Sequence, residues 1–172
     1  MEIDNKLLKQ LMKIEPSTFL NMEYRPCKVY MKNGNIIRNA YICEAEMYLK
    51  TWGVWPEDDK EKSFISIQDV SDIEESELRI PARLANKMYK AGESGMGYCI
   101  FTLVLKDGRK LPCLTGNAVD FVDFPLEVNP DMIADLLPHQ GRELFQKSNS
   151  GFYTQGAKYY WCLYSNPKNN EK

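Results

Sequence analysis

A single histidine, His139, sets the first limit on the chemistry this chain can do. No two-histidine metal motif exists, and one imidazole is all there is for a histidine base. Five cysteines, Cys27, Cys43, Cys99, Cys113 and Cys162, stand far apart with no Cys-x-x-Cys turn among them. A thiol–imidazole couple of His139 with Cys113 or Cys162, or a zinc site from Cys27, Cys43, Cys99 and Cys113, would have to be assembled wholly by the fold. Each cysteine lies instead in or beside an apolar strand pattern, where thiols serve as small hydrophobes. The residues therefore point to no catalytic group, no metal and no cofactor. Carboxylate pairs are plentiful (Glu44/Glu46, Asp58/Asp59, Glu74/Glu75, Asp120/Asp123). Glu44 and Glu46, on one strand face, are the pair best placed for acid–base work, which needs two carboxylates in unlike surroundings. Gly92, Gly95 and Gly97 do not make a phosphate loop. Such a loop runs from strand to helix, whereas this one leaves a helix end, and no Gly-Lys-Ser/Thr follows. We expect a flexible connector there.

A net charge of −2 conceals two opposed blocks. Glu57, Asp58, Asp59, Glu61, Asp69, Asp72, Glu74, Glu75 and Glu77 stand against Lys60 and Lys62 alone. Arg79, Arg83, Lys87, Lys90, Lys106, Arg109 and Lys110 then stand against Glu93 and Asp107. Neighbouring blocks of opposite sign can neutralise each other as solvated faces. Trp52 and Trp55, however, directly precede the acidic block, and aromatic anchors beside steering charges are what tight interfaces use. The expectation is a non-catalytic protein-binding module. Trp52 and Trp55 anchor, while Glu57, Asp58, Asp59, Glu61, Glu74 and Glu75 steer a basic protein partner, in the manner of an immunity- or antitoxin-like inhibitor. The alternative is a nucleic-acid-binding small-barrel protein using the basic stripe Arg79, Arg83, Lys87 and Lys90, with Tyr98 or Phe101 for stacking. A sequence pI near 5.6 and the adjoining acids oppose a polyanion.

No apolar run approaches the ~20 residues of a membrane helix, and residues 1–13 carry no signal-peptide core. With an odd number of cysteines, this predicts a cytoplasmic protein with reduced thiols.

The elements that must position these residues follow from periodicity. Residues 5–14 read as a short amphipathic helix: Asp4 caps it, Ile3, Leu7, Leu11 and Ile14 form its stripe, and Pro16 stops it. Asn33-Gly34 predicts a two-residue hairpin turn between strands 27–32 and 36–50. Pro81 begins a second helix that ends at Gly92, with Ile80, Leu84, Met88 and Ala91 apolar beside the basic stripe. Strands follow over 98–106, 109–114 and 119–124, then a short segment over 131–137 and a helical turn over 142–146. The final element, 157–165, is apolar or aromatic on both faces, as a doubly covered central strand is. The run Val29-Tyr30-Met31-Lys32-Asn33-Gly34 is echoed by Leu103-Val104-Leu105-Lys106-Asp107-Gly108. Trp55-Pro56 is echoed by Phe124-Pro125, and Ile67-Gln68-Asp69-Val70 by Ile133-Ala134-Asp135-Leu136, which suggests an internal repeat.

The boundaries are 1–24 for the N-terminal helix and lead-in, 25–78 for a first β-unit, and 79–97 for a helix and Gly-rich connector. A second β-unit with the closing aromatic strand covers 98–166, and a disordered tail 167–172. The order of strand, tight turn, longer strand, polar loop and Ile-x-Asp-Val-type strand resembles small SH3-like and Sm-like barrels over 26–73 and 98–137. The resemblance implies a mainly β, α+β chain of two antiparallel small-barrel or curled-sheet units with two or three short helices. It assigns no functional residue.

Overall fold

The computed structural model describes residues 2–60, 62–145, 153–154 and 159–165. The fold is mixed α+β and dominated by two sheets, neither closed into a barrel. The chain divides into two compact units, Met1–Ser76 with Lys158–Lys172, and Glu77–Ala157. The first begins with helix α1 (Asn5–Leu11), strands β1 (Ser17–Phe19), β2 (Met22–Met31) and β3 (Ile36–Glu44), helix α2 (Ala45–Trp52), and strands β4 (Ser63–Phe64) and β5 (Val70–Glu74). The second contains helix α3 (Ala82–Ala91), strands β6 (Cys99–Leu105), β7 (Lys110–Thr115) and β8 (Ile133–Pro138), helix α4 (Arg142–Phe145) and strand β9 (Tyr153–Thr154). The chain then rejoins the first unit as β10 (Tyr160–Tyr164). Among the described residues no helix is long and apolar enough to cross a membrane.

In the first unit Asp4 caps α1 by accepting the Leu7 N–H at 2.8 Å. Ile3, Leu7, Leu11 and Ile14 are buried against Val29, Ile42, Ile67, Val70 and Ile73. Seven residues are too few for an independent helix, so this burial, about 1.5–3 kcal/mol per large side chain, holds α1 in place. The sheet runs β1-β2-β3-β10-β4, with β5 also paired to β2. Strand β10 pairs in parallel with both β3 and β4. The antiparallel barrel expectation fails at this strand: β10 occupies the edge of β3 that closure would need and separates β3 from β4. Its long connection permits a parallel pairing that a hairpin forbids. The aromatic strand therefore belongs to the first unit and not to the second. The return strand also stops at Glu44, not at residue 50. Ala45–Trp52 is rich in helix formers, places Ala45, Tyr48 and Trp52 three and four apart, and ends on Gly53 at φ 70°.

In the second unit the order is β8-β6-β7-β9, and α3 buries Leu84, Ala85 and Met88 against Phe101, Leu103, Ile133 and Leu136. Residues 119–124 are not a strand. They form one isolated bridge, Arg79 to Phe121, flanked by the Ile80 N–H to Asp120 carbonyl and Val122 N–H to Leu78 carbonyl bonds. The 167–172 tail lies outside the described residues.

The β2–β3 hairpin lacks the two-residue turn that Asn33-Gly34 predicted, and the β6–β7 hairpin has the same longer loop. Met31 donates to the Asn35 carbonyl (2.8 Å) and accepts the Gly34 N–H (2.9 Å), which leaves a three-residue loop with Gly34 at φ 87°. Leu105 donates to Arg109 and accepts from Gly108, both at 2.9 Å, with Gly108 at φ 88°. The extra residue is secured by a side chain: Asn33 Oδ1 accepts the Asn35 N–H and Asp107 Oδ1 the Arg109 N–H, each at 3.0 Å.

Matching contacts continue beyond the turns. Lys32 N–H donates to the Asp69 carbonyl and Lys106 N–H to the Met132 carbonyl, each at 2.8 Å. Lys6 and Gln10 of α1 reach the Ser71 carbonyl and Asp72, while Arg83 and Lys87 of α3 reach the Ala134 carbonyl and Asp135. Asp72 pairs across from Tyr30 and Asp135 across from Val104, so Asp72, and not Asp69, has the position in its sheet that Asp135 has in the other. Gly34→Ala and Gly108→Ala should each destabilise the protein by about 1–2 kcal/mol, because alanine strains in the left-handed region. Paired urea unfolding curves, with similar losses for the two variants, are the check.

Candidate functional site

Helix α2 begins where the alternation of β3 ends, and it sets Tyr48 and Trp52 one turn apart on the same side. The chain leaves it through Gly53. Trp55-Pro56 then opens the 3-10 turn Pro56–Asp58, where proline lacks only a donor that would have no helical partner. Asp59 accepts the Lys62 N–H at 2.9 Å, which turns the chain back toward α2. Lys62 Nζ comes to rest 4.3 Å above the Trp52 ring and 5.5 Å from that of Tyr48. It donates to the Tyr48 hydroxyl at 3.2 Å and pairs with Asp59 at 3.6 Å.

A layer of aromatic rings supports this arrangement. Tyr48 meets Trp161 edge-on at 5.0 Å, and Trp161 contacts Tyr41, Tyr24 and Tyr159 at 5.2, 5.7 and 6.5 Å. Burial, and then the charge of Asp59, push the Tyr48 phenol well above its ordinary range, so it stays a neutral hydroxyl. On the outer side Phe19 stacks on Trp52 at 5.9 Å with ring planes 14° apart. Phe19 leads into the β1–β2 turn, whose Leu20 takes φ 53° and is 71% exposed. Among non-glycine residues that conformation is uncommon, and for a bulky side chain it is an outlier.

The sequence-predicted partner residues divide between places. Trp52 is 36% exposed on this surface, and Trp55 is half-buried beside a shallow hollow that it lines with Glu57, Phe64 and Trp161. Glu57 and Asp58 are exposed and Asp59 is half-buried against Lys62. Glu61 lies outside the described residues. Glu74 ends β5 and Glu75 follows it, on the opposite edge of the sheet from β4. Four strand spacings amount to about 19 Å, so the acidic block is one run in sequence and two places in space. Glu74 is bound there by the Tyr30 hydroxyl (2.9 Å) and Lys28 (3.2 Å), which hold its carboxyl below the usual range. The basic stripe also breaks up: Arg79 is only 5% exposed, Arg83 donates to the Ala134 carbonyl at 2.9 Å, and Lys87 pairs with Asp135 at 2.8 Å. Lys90 is exposed in the last turn of α3. Phe19 and Leu20 escaped sequence reading, because an isolated Phe-Leu before an Asn looks like any strand end.

His139 meets no thiol. Its Nδ1 lies 2.8 Å from Ser94 Oγ and its Nε2 3.2 Å from the Ala91 carbonyl, and the Ser94 hydroxyl donates to the Ile100 carbonyl at 3.2 Å. Ser94 Oγ also accepts the Ile100 N–H at 2.8 Å, and Glu93 accepts the Gly97 N–H at 3.0 Å. The glycine loop is therefore a braced turn and not a loose connector. Glu44 and Glu46 separate: Glu46 is exposed on α2, while Glu44 lines a cleft of about 500 Å³ with Glu23, Arg25, Leu8, Met12, Met47 and Tyr164. Arg25 is engaged there by Glu23 at 2.7 Å and by the Ile14 carbonyl. Among the described residues no group of three or more His, Cys, Asp or Glu is placed to hold a metal.

Comparison with protein-family models, curated proteins and solved structures finds no match.

None of the five thiols is in a disulfide, and all are buried. Burial raises Cys43 and Cys162 to about 12 and Cys99 to about 11, with Glu44 and Glu23 adding to the shift at Cys43, and it raises Cys113 as well. A thiol that stays protonated is a poor nucleophile. At pH 8 the native protein should leave Ellman's reagent almost unreacted over minutes and release five equivalents once unfolded in guanidinium. A fast-reacting native thiol would mark an activated cysteine that this geometry does not contain.

Proposed function

We propose that the chain is a protein-binding module whose first unit offers the Phe19–Leu20–Trp52 surface to a basic protein, with Glu57 and Asp58 steering its approach. The observation that carries the reading is Leu20: a large apolar side chain, 71% exposed, in a turn position that glycine fills without strain. A residue that costs conformational energy and leaves most of its apolar surface in water is better accounted for by contact with a partner than by folding. The stacked Phe19 and Trp52 beside it are rigid aromatic anchors, the side chains that dominate interface energetics. Masking of a basic protein in the manner of an immunity- or antitoxin-type inhibitor is the form of binding we infer, in a reducing compartment such as the cytoplasm. We also read the paired turns and helix-to-strand contacts as a tandem duplication of an SH3-like or Sm-like unit whose sheet has remained open. Nucleic-acid binding through α3 is the weaker reading, because Arg79, Arg83 and Lys87 already have intrachain roles.

Capture from the native cell extract on immobilised wild-type chain, set against a Phe19→Ala/Leu20→Gly/Trp52→Ala variant, tests the proposal. A basic protein retained only by the wild type is expected. Its association should slow several-fold on Glu57→Gln/Asp58→Asn substitution and with rising salt, while dissociation changes little. Identical capture by wild type and the triple variant, or association indifferent to these charges at low salt, would remove it. Leu20→Gly alone should stabilise the fold by roughly 0.5 kcal/mol, since relief of ~1–2 kcal/mol of left-handed strain is offset by ~0.5–1 kcal/mol of backbone freedom.

A further inference from the structure

Lys62 is an unusual surface lysine. Its side chain is only 17% exposed, although a lysine ammonium is strongly hydrated and normally reaches out to water. Here the head group lies in a recess walled by the Trp52 and Tyr48 rings, at 4.3 and 5.5 Å, and floored by the Tyr48 hydroxyl and the Asp59 carboxylate, at 3.2 and 3.6 Å. Ring faces attract a cation, the carboxylate supplies a full opposing charge, and the raised pKa of Tyr48 keeps its hydroxyl neutral with lone pairs to offer. Both oxygens need N–H donors. A primary ammonium has three and a quaternary ammonium has none, so the recess is matched to lysine.

The aromatic walls of the recess are built independently of the residue that fills it, while Asp59 belongs to the same turn as Lys62. Tyr48 and Trp52 are fixed by α2, by Trp161 beneath and by Phe19 above. The backbone of Lys62 is tied by the turn at Asp59 and leads into β4, two residues long at the sheet edge. Short edge elements open more readily than the sheet they join.

We propose that this recess is a recognition site for a lysine ammonium, that Lys62 occupies it in the free chain, and that a lysine of the basic partner displaces it. The inference rests on the basic-partner reading for the source of that lysine. The partner's other contacts, on Phe19, Leu20 and Trp52, would offset the advantage that an intrachain lysine holds through its local concentration.

Chemical rescue tests the site without the partner. Lys62→Ala, and Lys62→Gln as a second variant retaining a longer side chain, are checked by far-UV circular dichroism. Each is then titrated with n-butylammonium and with tetramethylammonium while the Trp52 indole N–H resonance is followed by NMR. Saturable n-butylammonium binding is expected in both variants, about 5-fold or more tighter than tetramethylammonium and weakened about 5-fold or more by adding Asp59→Asn. The wild type, its recess filled, should show no saturable shift. Absence of saturation in both folded variants, or tetramethylammonium binding as well as n-butylammonium, would overturn the assignment. If the recess ignores alkylammonium while capture still separates wild type from the Phe19/Leu20/Trp52 variant, the lysine site falls and the basic-partner reading stands. If the recess binds n-butylammonium while capture does not discriminate, the site stands and its assignment to a basic partner falls.

Discussion

The pairing of β10 with β3 is the interaction on which the first unit depends. An exposed strand edge leaves a row of backbone donors and acceptors open, and β10 satisfies that of β3 over five consecutive residues. Three consequences follow. Trp161 is placed beneath Tyr48 and Tyr41, and Cys162 and Tyr164 join the core that covers α1. β4 finds its partner in β10, and this ties the returning chain, with Lys62, close to α2. The surface around Trp52 is thus assembled from pieces distant in sequence and rests on the parallel pairing of β10 with β3 and β4.

Magnitudes separate what builds that surface from what decorates it. Buried rings contribute through area as well as through favoured edge-on geometry, at about 0.5–1.5 kcal/mol per pair beyond the area term. Exposed ion pairs such as Lys87–Asp135 or Arg109–Asp107 contribute little, because water and salt screen them. The aromatic layer therefore sets position, and the exposed acids are left to act at range on whatever approaches. Lys62 falls between these cases: it is charged, yet largely withdrawn from water by the rings around it.

The two units show how one pattern is held twice. In each, a helix lays an apolar stripe on a sheet, a three-residue turn joins the main hairpin, and a third strand pairs with the first strand of that hairpin. Polar ties from helix to third strand recur at matching places with different residues, Gln10 in one and Lys87 in the other. Apolar burial provides the stability, and the ties set the register of helix on strand.

Much of this was legible locally. The stripe of α1 with its Asp4 cap, the end of α3 at Gly92, the positive-φ glycines at 34 and 108 and the two-sided apolar character of 160–164 all follow from short-range chemistry in which a residue and its near neighbours decide the outcome. The helical spacing of Ala45, Tyr48 and Trp52 was present too, but it was masked by the strand running into it. What the chain alone did not determine was which strand would sit beside β3, that β10 would do so in parallel, and that Glu74 and Glu75 would be carried to the far edge of the sheet from Glu57 and Asp58. Nor did it show that Lys62 would turn inward onto Trp52. Those outcomes depend on hydrogen-bonded pairings between segments far apart in sequence. Such pairings are chosen by competition among many edges of similar backbone chemistry, so only the folded chain decides them.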